Sequence, residues 1–399
     1  MTLRAYKYRL YPTEEQKVFL DKHFGCCRFI YNHFLALRKE TWEKDKQTIS
    51  GFECKRQLRT LKKEFPWLKE VNSQSLQDAV LNLEKSYRRF FKGLASYPNF
   101  REKRSRQCFA APQHFRIEDS YIYIPKFDTG IKIKLHREMT GIQKSLAISK
   151  TPTGKYFVSI TCETVVEKLP FVEQQIGVDL GLSRFASLST GEKVEHPKLL
   201  RQSEKQLKRL QRKLSRKQKG SMNRDKTRLL VALKHEKIAN QRRDFLHKLS
   251  SRLINENQVV CIEDLSVKGM VRNRHLSKAI SDSGWGEFVR QVKYKADWYG
   301  RTVKEIPKFY PSSKTCSICG FVYGGLTLSE RFWTCPSCSA VHDRDDNASN
   351  VILNVGQGMP ELTPVERMTA VTSVMSMKQV SSKKQEALAS KKMHGILTP

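Results

Sequence analysis

Four cysteines between Lys314 and Leu353 have the spacing of a metal site. They form two C-x₂-C pairs with fifteen residues between the pairs: Cys316, Cys319, Cys335 and Cys338. Two residues between paired cysteines let both sulfurs face one ion, and two such pairs close a tetrahedral thiolate site that has no position for water. We therefore expect a structural Zn²⁺ ion that folds a small ribbon and takes no part in catalysis.

Acidic side chains follow these cysteines and also end two earlier apolar segments. Asp343, Asp345 and Asp346 open an expected helix, whereas Asp179 and Glu263 each follow a short apolar run. Three carboxylates that met in space would suit Mg²⁺ or Mn²⁺, and two such ions can promote phosphodiester hydrolysis. Residue types alone leave a second interpretation open, in which Asp179 and Glu263 are turn residues and the aspartates are a helix N-cap.

The composition indicates a folded protein that acts on a polyanion. The 399 residues include 73 Lys+Arg against 40 Asp+Glu, which gives a formal charge of +33, so nucleic acid is the first partner to consider. We expect no membrane contact, because no run approaches 18 apolar residues and the first residues lack the apolar core of a signal peptide. The other six cysteines have no regular spacing and fit reduced thiols in a cytoplasmic protein.

Hydrophobic periodicity divides the N-terminal part of the chain. Residues 2–10 alternate like a strand, and Thr13 with Gln16 forms a capping box for a helix. Two apolar stripes then predict a helical lobe over 13–95, and they consist of Leu20, Phe24, Cys27, Tyr31 and Leu35, followed by Leu76, Val80, Leu83, Tyr87 and Phe91. The period then changes to two, which predicts a small antiparallel sheet or barrel that strand 2–10 joins.

A strongly basic helical region follows at 199–256. Between Arg201 and Arg252 there are 18 Lys/Arg and 4 Asp/Glu, and a turn near Gly220 predicts a helical hairpin with one cationic face. A solvated helix face normally mixes charges of both signs, so phosphate contact is favoured. The candidate nucleic-acid-binding residues are Arg209, Arg212, Lys213 and Arg216.

Three short motifs carry a family resemblance. The segments GVDLGL, IEDLS and HDRDDNASN, with the paired cysteines before the last, resemble the three motifs of the RuvC-type RNase H fold in TnpB. TnpB proteins are RNA-guided DNA endonucleases encoded by insertion sequences and related to type V CRISPR effectors. RLYPTEEQ, CRFIYNHFLALR and HEKIANQRRDFLHKLSSRL also resemble segments of that family, so the resemblance extends from the N-terminus to about residue 355.

The resemblance implies roles for single residues. Asp179, Glu263 and Asp345 become the catalytic carboxylates that hold Mg²⁺, with Mn²⁺ as a second option; Asp345 is selected because it is the second aspartate of the family's D-R-D-x-N motif. Ser349 stands where the family often has alanine, and the last cysteine pair lacks its usual following glycine. Because some relatives have lost these carboxylates and act as RNA-guided repressors, the presence of all three favours an active nuclease.

The resemblance also implies an α/β multidomain architecture. Its parts are a β-barrel-like wedge domain (1–12 and 96–170), a helical recognition lobe (13–95), a RuvC-like nuclease domain (171–310), a zinc ribbon (311–342), the last nuclease motif (343–355) and a disordered tail (356–399). The implied partners are a guide RNA derived from the transposon end and a double-stranded target DNA beside a short adjacent motif. Gln74 and Gln77, in VNSQSLQD, are candidate readers of that motif, because amides can pair with adenine.

The sequence leaves the guide, the adjacent motif and the oligomeric state open, although a monomer that associates with the nucleoid of a prokaryotic cell is favoured. Three other functions remain to be weighed. A nucleic-acid-binding regulator would use the same basic lobes without cutting. A DNA transposase could use a related acidic triad, but the order of motifs argues against it. A ribosome-associated zinc-ribbon protein would leave Asp179 and Glu263 unused.

Overall fold

The structure is a computed structural model that describes residues 1–103, 107–308, 310–327 and 329–358. It is a mixed α/β protein with two compact units, of which the first comprises Met1–Glu167 and Leu200–Gln241. The second comprises Lys168–Leu199 and the described residues from Arg242 to Gly358. This division differs from the sequence-based one, which assigns all of 199–256 to the nuclease domain. The expected disordered tail lies outside the described residues from 359 onwards, and its first three residues still belong to a helix.

The first unit contains a seven-stranded antiparallel sheet. Its strands are β1 (Thr2–Tyr11), β2 (Gln107–Ala111), β3 (Arg116–Glu118), β4 (Tyr121–Ile124), β5 (Phe127–Lys134), β6 (Ile142–Lys150) and β7 (Tyr156–Thr164). The order is β2-β6-β7-β1-β5-β4-β3, so the first strand of the chain lies between β7 and β5, as the sequence predicts. Among the described pairings β2 and β3 remain edge strands, and the sheet does not close into a barrel through hydrogen bonds.

Four described helices of the first unit lie in the chain between β1 and β2. They are α1 (Glu14–Asp45), α2 (Gly51–Glu64), a short 3₁₀ helix (Pro66–Lys69) and α3 (Ser73–Phe91). The capping box of Thr13 and Gln16 is confirmed. Both predicted stripes are buried except at Phe91, which is 70% exposed because α3 ends there. The helices and the sheet share one hydrophobic core.

Two basic helices complete the described elements of the first unit. Helix α4 spans Leu199–Ser215, and α5 spans Met222–Glu256 and continues into the second unit. The guanidinium group of Arg224 donates to the carbonyls of Leu214 and Lys217 and so fixes the turn between the helices. No helix in the described ranges is long and apolar enough to cross a membrane.

The second unit is built on a five-stranded sheet. Its strands are β8 (Gln175–Leu180), β9 (Ala186–Leu188), β10 (Lys193–Val194), β11 (Val259–Glu263) and β12 (Thr302–Ile306), in the order β10-β9-β8-β11-β12. Strands β8, β11 and β12 are parallel, whereas β9 and β10 are antiparallel additions. The helices between β11 and β12 are α6 (Val267–Met270), α7 (Ser277–Ser283) and α8 (Trp285–Tyr299). Buried Trp285 and Phe288 of α8 belong to the core of this sheet.

A two-stranded ribbon and a final helix follow. The ribbon strands are β13 (Phe332–Thr334) and β14 (Val341–Asp343), and the helix is α9 (Arg344–Gly358). Helix α9 lies against the sheet at two glycines. A Cβ atom at Gly177 of β8 would collide with the backbone oxygen of Ser349, and one at Gly356 of α9 would collide with the sulfur of Cys261. These glycines therefore allow the helix to approach β8 and β11 closely.

Candidate active site and metal-binding residues

Asp179 and Glu263 lie side by side at the carboxyl edge of the parallel strands. The register pairs Ile262 of β11 with Val178 of β8, so the next residues, Glu263 and Asp179, are neighbours. Side chains two residues apart in a strand share a face. Because Gly177 and Cys261 both face α9, Asp179 and Glu263 face the same helix, which begins one residue before Asp345.

Asp179 lies at the electrostatic centre of this site. Burial, and after it the negative charges of Glu263 and Asp345, raise the pKa of its carboxyl to about 8, while Arg344 opposes the shift. The three predicted acidic residues therefore come together in space. Their negative charges raise the pKa of Asp179 in spite of Arg344, and this is an environment in which a divalent cation would be stabilised.

Glu263 has one neutral hydrogen-bond partner. The hydroxyl of Ser312 donates to its Oε1 at 2.5 Å. Burial raises the pKa of Glu263, although the Ser312 hydrogen bond lowers it and so favours the carboxylate. Ser312 thus fixes one carboxylate oxygen and leaves the other for a ligand.

The three clustered aspartates point to different partners. Asp343 Oδ1 accepts the backbone N–H groups of Asp345 and Asp346, which makes it the N-cap of α9. Lys193 of β10 lies 2.7 Å from Asp343 and 3.1 Å from Asp346. Burial opposes ionisation of Asp343, but the Lys193 and backbone hydrogen bonds outweigh it and lower its pKa.

Asp345 instead acts electrostatically on Asp179, and it contacts a ribbon side chain. The guanidinium of Arg331 is 3.3 Å from its Oδ1. Arg331 is more than half exposed, so this pair adds little stability. The geometry separates Asp345 from the two aspartates that are neutralised by Lys193.

The four cysteines converge as their spacing predicts. Within the described ranges they are the group of ligand side chains whose atoms all lie within 4.8 Å of one another. The sulfurs of Cys316 and Cys338 are 3.6 Å apart, as are those of Cys319 and Cys335. A tetrahedral zinc with Zn–S bonds of about 2.3 Å requires sulfurs roughly 3.8 Å apart, so the residues fit this ion.

A backbone group and a side chain outside the cysteine set also contribute to the ribbon site. A hydrogen bond from the backbone of Phe321 lowers the pKa of the Cys319 thiol to about 6, which favours the thiolate that binds zinc. His342 Nε2 lies 3.1 Å from the sulfur of Cys316, and the His342 ring packs on Trp333. Sequence reasoning did not single out His342, although its place next to the aspartates was a possible signal.

The carboxylates are not as tightly grouped as the cysteines. Asp179, Glu263 and Asp345 do not form a group within the same 4.8 Å limit. Like charges repel, and a pair of ions about 3.5–4 Å apart needs ligands spread over a wider site. The spacing is therefore compatible with hard cations held by three separate carboxylates.

The basic residues predicted on α4 form one exposed surface. A surface groove of about 790 Å³ is lined only by basic side chains: Lys205, Lys208, Arg209, Arg212, Lys213, Arg216 and Lys217. In the part of the chain that the structure describes, no acidic side chain lies within 4 Å of the four predicted residues of this set, whereas Lys208 pairs with Glu204. These four side chains are thus cations with no ion-pair partner in the described part of the chain.

The two glutamines of α3 differ in exposure and in hydrogen bonding. The side-chain N–H of Gln74 donates to Gln113, and its buried Oε1 has no partner among the described residues. Gln77 is exposed one turn further along the helix. Gln77 is therefore the better placed of the two to meet an external partner.

Three family profiles match this chain. Residues 158–274 match an OrfB family of the IS605 group described as a probable transposase, and residues 285–352 match a Cas12f1-like TNB domain. Residues 1–47 match a profile described as a helix-turn-helix domain, although here they hold one strand and one long helix.

Relatives match over nearly the whole length. A protein of Streptomyces pristinaespiralis named as an RNA-guided DNA endonuclease is 39% identical and covers 88% of this chain and 89% of its own. InsQ of Escherichia coli K12, named in the same way, is 32% identical over 90% of this chain and 93% of its own. A solved Cas12f1–sgRNA–target DNA complex aligns with 90% of this chain and 100% of that chain at 13% identity, and its TM-score of 0.35 is too low to support any argument.

Proposed function

Because this chain belongs to the TnpB (OrfB) family of insertion-sequence proteins, we propose that it is an RNA-guided DNA endonuclease. Its partners would be a guide RNA and a DNA target that pairs with the guide. The observation that carries the proposal is the meeting of Asp179, Glu263 and Asp345 beside the start of α9. A regulator that only binds nucleic acid has no need to bring three carboxylates together at such an electrostatic cost.

The proposed catalytic domain is the second unit. Three antiparallel strands, followed by two parallel strands that are reached through helices, are the arrangement expected of an RNase H-type sheet. On this assignment the ribbon is inserted before α9, and the sheet of the first unit is the wedge domain that carries the helical recognition lobe. These domain names are part of the proposal.

Asp179, Glu263 and Asp345 would hold two Mg²⁺ ions, and Mn²⁺ could replace them. When bound, such ions activate a water, neutralise the scissile phosphate and stabilise the leaving oxygen. Asp179 would be one of these ligands, and both other carboxylates act on it electrostatically. Ser312 orients Glu263, and Asp343 caps α9 so that Asp345 is held at its first turn. The four cysteines would hold a zinc ion with no open position, which therefore supplies structure and no chemistry.

The cationic groove of α4 would bind phosphates of the guide RNA or of its duplex with the target. Replacement of Arg209, Arg212, Lys213 and Arg216 with alanine is expected to weaken RNA binding and to flatten its salt dependence. Each lost phosphate contact removes about 0.7 to 0.9 from the slope of log K against log salt. Binding is measured by filter retention or anisotropy from low to moderate salt.

The matched control keeps the charge and changes the side chain, with Arg and Lys exchanged at the same four positions. It should retain the salt slope of the wild type. A slope that is unchanged in the alanine variant would mean that the groove is only solvated.

Reading of the adjacent motif is proposed for Gln77 more than for Gln74. Gln77→Ala is expected to relax the preference for one base of the flank, with a loss of about 1–3 kcal/mol in discrimination, because a bidentate amide–adenine contact is removed. Gln74→Ala serves as the comparison, since its amide is already engaged by Gln113. The preference is read from cleavage of targets with a randomised flank. Equal flank profiles for wild type and Gln77→Ala would count against this role.

The description of one matching profile as a transposase keeps strand transfer as a second candidate. The two activities differ in product, since a transposase joins tagged donor ends to a target and an endonuclease leaves free ends. The decisive experiment purifies the protein with its RNA, sequences that RNA, and challenges the complex with a matching target in the presence of Mg²⁺. Cutting that follows the guide supports the proposal; guided binding without cutting would indicate a regulator instead.

A further inference from the structure

Asn347 connects the nuclease helix to the first cysteine pair. It lies three residues into α9 and is only 2% exposed. Its Oδ1 accepts the backbone N–H of Ser317 at 2.9 Å, and its Nδ2 donates to the carbonyl of Thr315 at 2.6 Å. One amide therefore clamps the backbone on both sides of Cys316.

The neighbours of Asn347 in the chain alternate between the two sites. His342 contacts the sulfur of Cys316, Asp343 caps α9, and Asp345 lies beside Asp179. Asn347 then returns to the cysteine pair. Within six residues the chain thus contacts the thiolate site, the acidic site and the thiolate site again.

A second connection reaches Glu263. Ser312, which donates to Glu263, lies four residues before Cys316. Thr315, which lies between them in the chain, donates its hydroxyl to the carbonyl of Pro311. Two of the three acidic residues are therefore held by the segment that leads into the ribbon. Asp179, on β8, is fixed by the sheet itself.

We propose that Asn347 is a positioning residue that couples zinc binding at the ribbon to metal binding at the acidic site. The inference rests on the proposed function only in taking Asp179, Glu263 and Asp345 as ligands of a divalent ion. Zinc then has a second effect besides folding the ribbon, because an occupied cysteine pair holds α9 at the position where Asp345 can act. Outer contacts of this kind typically change metal affinity by about 10- to 100-fold.

The test measures Mn²⁺ binding by electron paramagnetic resonance on the full chain, with zinc content measured on the same samples. Those Mn²⁺ ions that the wild type binds and Asp345→Ala does not bind are assigned to the acidic site. Asn347→Ala is expected to bind those ions about tenfold more weakly while it keeps one zinc per chain. Alanine is a good helix former, so α9 itself should persist.

Two controls separate positioning from general damage. Asn354→Ala removes a more exposed amide of the same helix that also bonds Ser317, and Arg331→Ala removes the ribbon's side-chain contact to Asp345. Both should change Mn²⁺ affinity less than threefold. If Arg331→Ala weakens binding as much as Asn347→Ala, the ion pair and not the clamp sets the position of Asp345, and the proposal is wrong.

A wild-type measurement keeps the test valid if Asn347→Ala does not fold. Coupling between two sites is reciprocal, so Mg²⁺ should raise the zinc affinity of the wild type in equilibrium competition with a zinc-selective chelator. Zinc affinity that does not respond to Mg²⁺ would refute the coupling. A wild type that binds no Mn²⁺ at the acidic residues would instead refute the proposed metal site, and cleavage assays would show that failure independently.

Discussion

Asp345→Ala is expected to abolish cleavage of both strands of a guided DNA target while guided binding stays nearly unchanged. The carboxylate is a proposed ligand of the catalytic ions, whereas affinity comes from base pairing and phosphate contacts that it does not make. Cleavage and binding are compared on one matched target, with Mg²⁺ and then with a chelator. Normal cutting by Asp345→Ala would show that the choice of catalytic aspartate is wrong.

The neighbouring aspartates provide matched controls for this experiment. Asp346→Ala should keep substantial activity, because Asp346 pairs with Lys193 and does not contribute to the raised pKa of Asp179. Asp343→Ala should also cut, but it loses the N-cap of α9 and about 1 kcal/mol of stability. An Asp343→Ala variant that is folded but cleaves no DNA would contradict the roles assigned to the three aspartates.

Cys316→Ser is expected to remove one equivalent of zinc and to unfold the ribbon. A thiolate site that lacks one ligand cannot complete its tetrahedron, and structural zinc in small domains supplies about 10–16 kcal/mol of binding free energy. Zinc per chain is measured by mass spectrometry of the metal, and ribbon order is measured by limited proteolysis between Thr315 and Asp343.

Cys108→Ser is the matched control, because Cys108 is a half-buried thiol of β2 that lies outside the cysteine cluster. This variant should keep one zinc per chain, and its ribbon should resist proteolysis as in the wild type. Full zinc in Cys316→Ser, or in the equivalent Cys335→Ser, would contradict the thiolate site.

Short-range signals were sufficient for much of the fold and for the candidate site. The cysteine spacing identified the ribbon ligands, and the apolar runs before Asp179 and Glu263 are strands β8 and β11. These predictions succeed because period and spacing are properties of a few consecutive residues. The selection of Asp345 came from the family motif, and its catalytic role remains a proposal.

Contacts between distant segments were beyond sequence reasoning. Lys193, Ser312 and Asn347 are separated in the chain, and only the folded sheet shows which aspartate each affects. The exposure of Phe91 was missed because its place in the stripe says nothing about where the packing partner of α3 ends. The assignment of 200–241 to the first unit likewise depends on contacts that no local pattern encodes.

The close packing of α9 against Gly177 and Cys261 also has a consequence for synthesis of the protein. Asp179 and Glu263 leave the ribosome long before Asp345, and at about 5–20 residues per second the interval from Asp179 to Asp345 lasts roughly 10–30 seconds. Throughout that time the face of the sheet that α9 will cover has no helix on it, and the acidic cluster lacks one member. A nascent chain therefore completes its basic helices before its acidic cluster, so any cleavage activity must wait for the synthesis of α9.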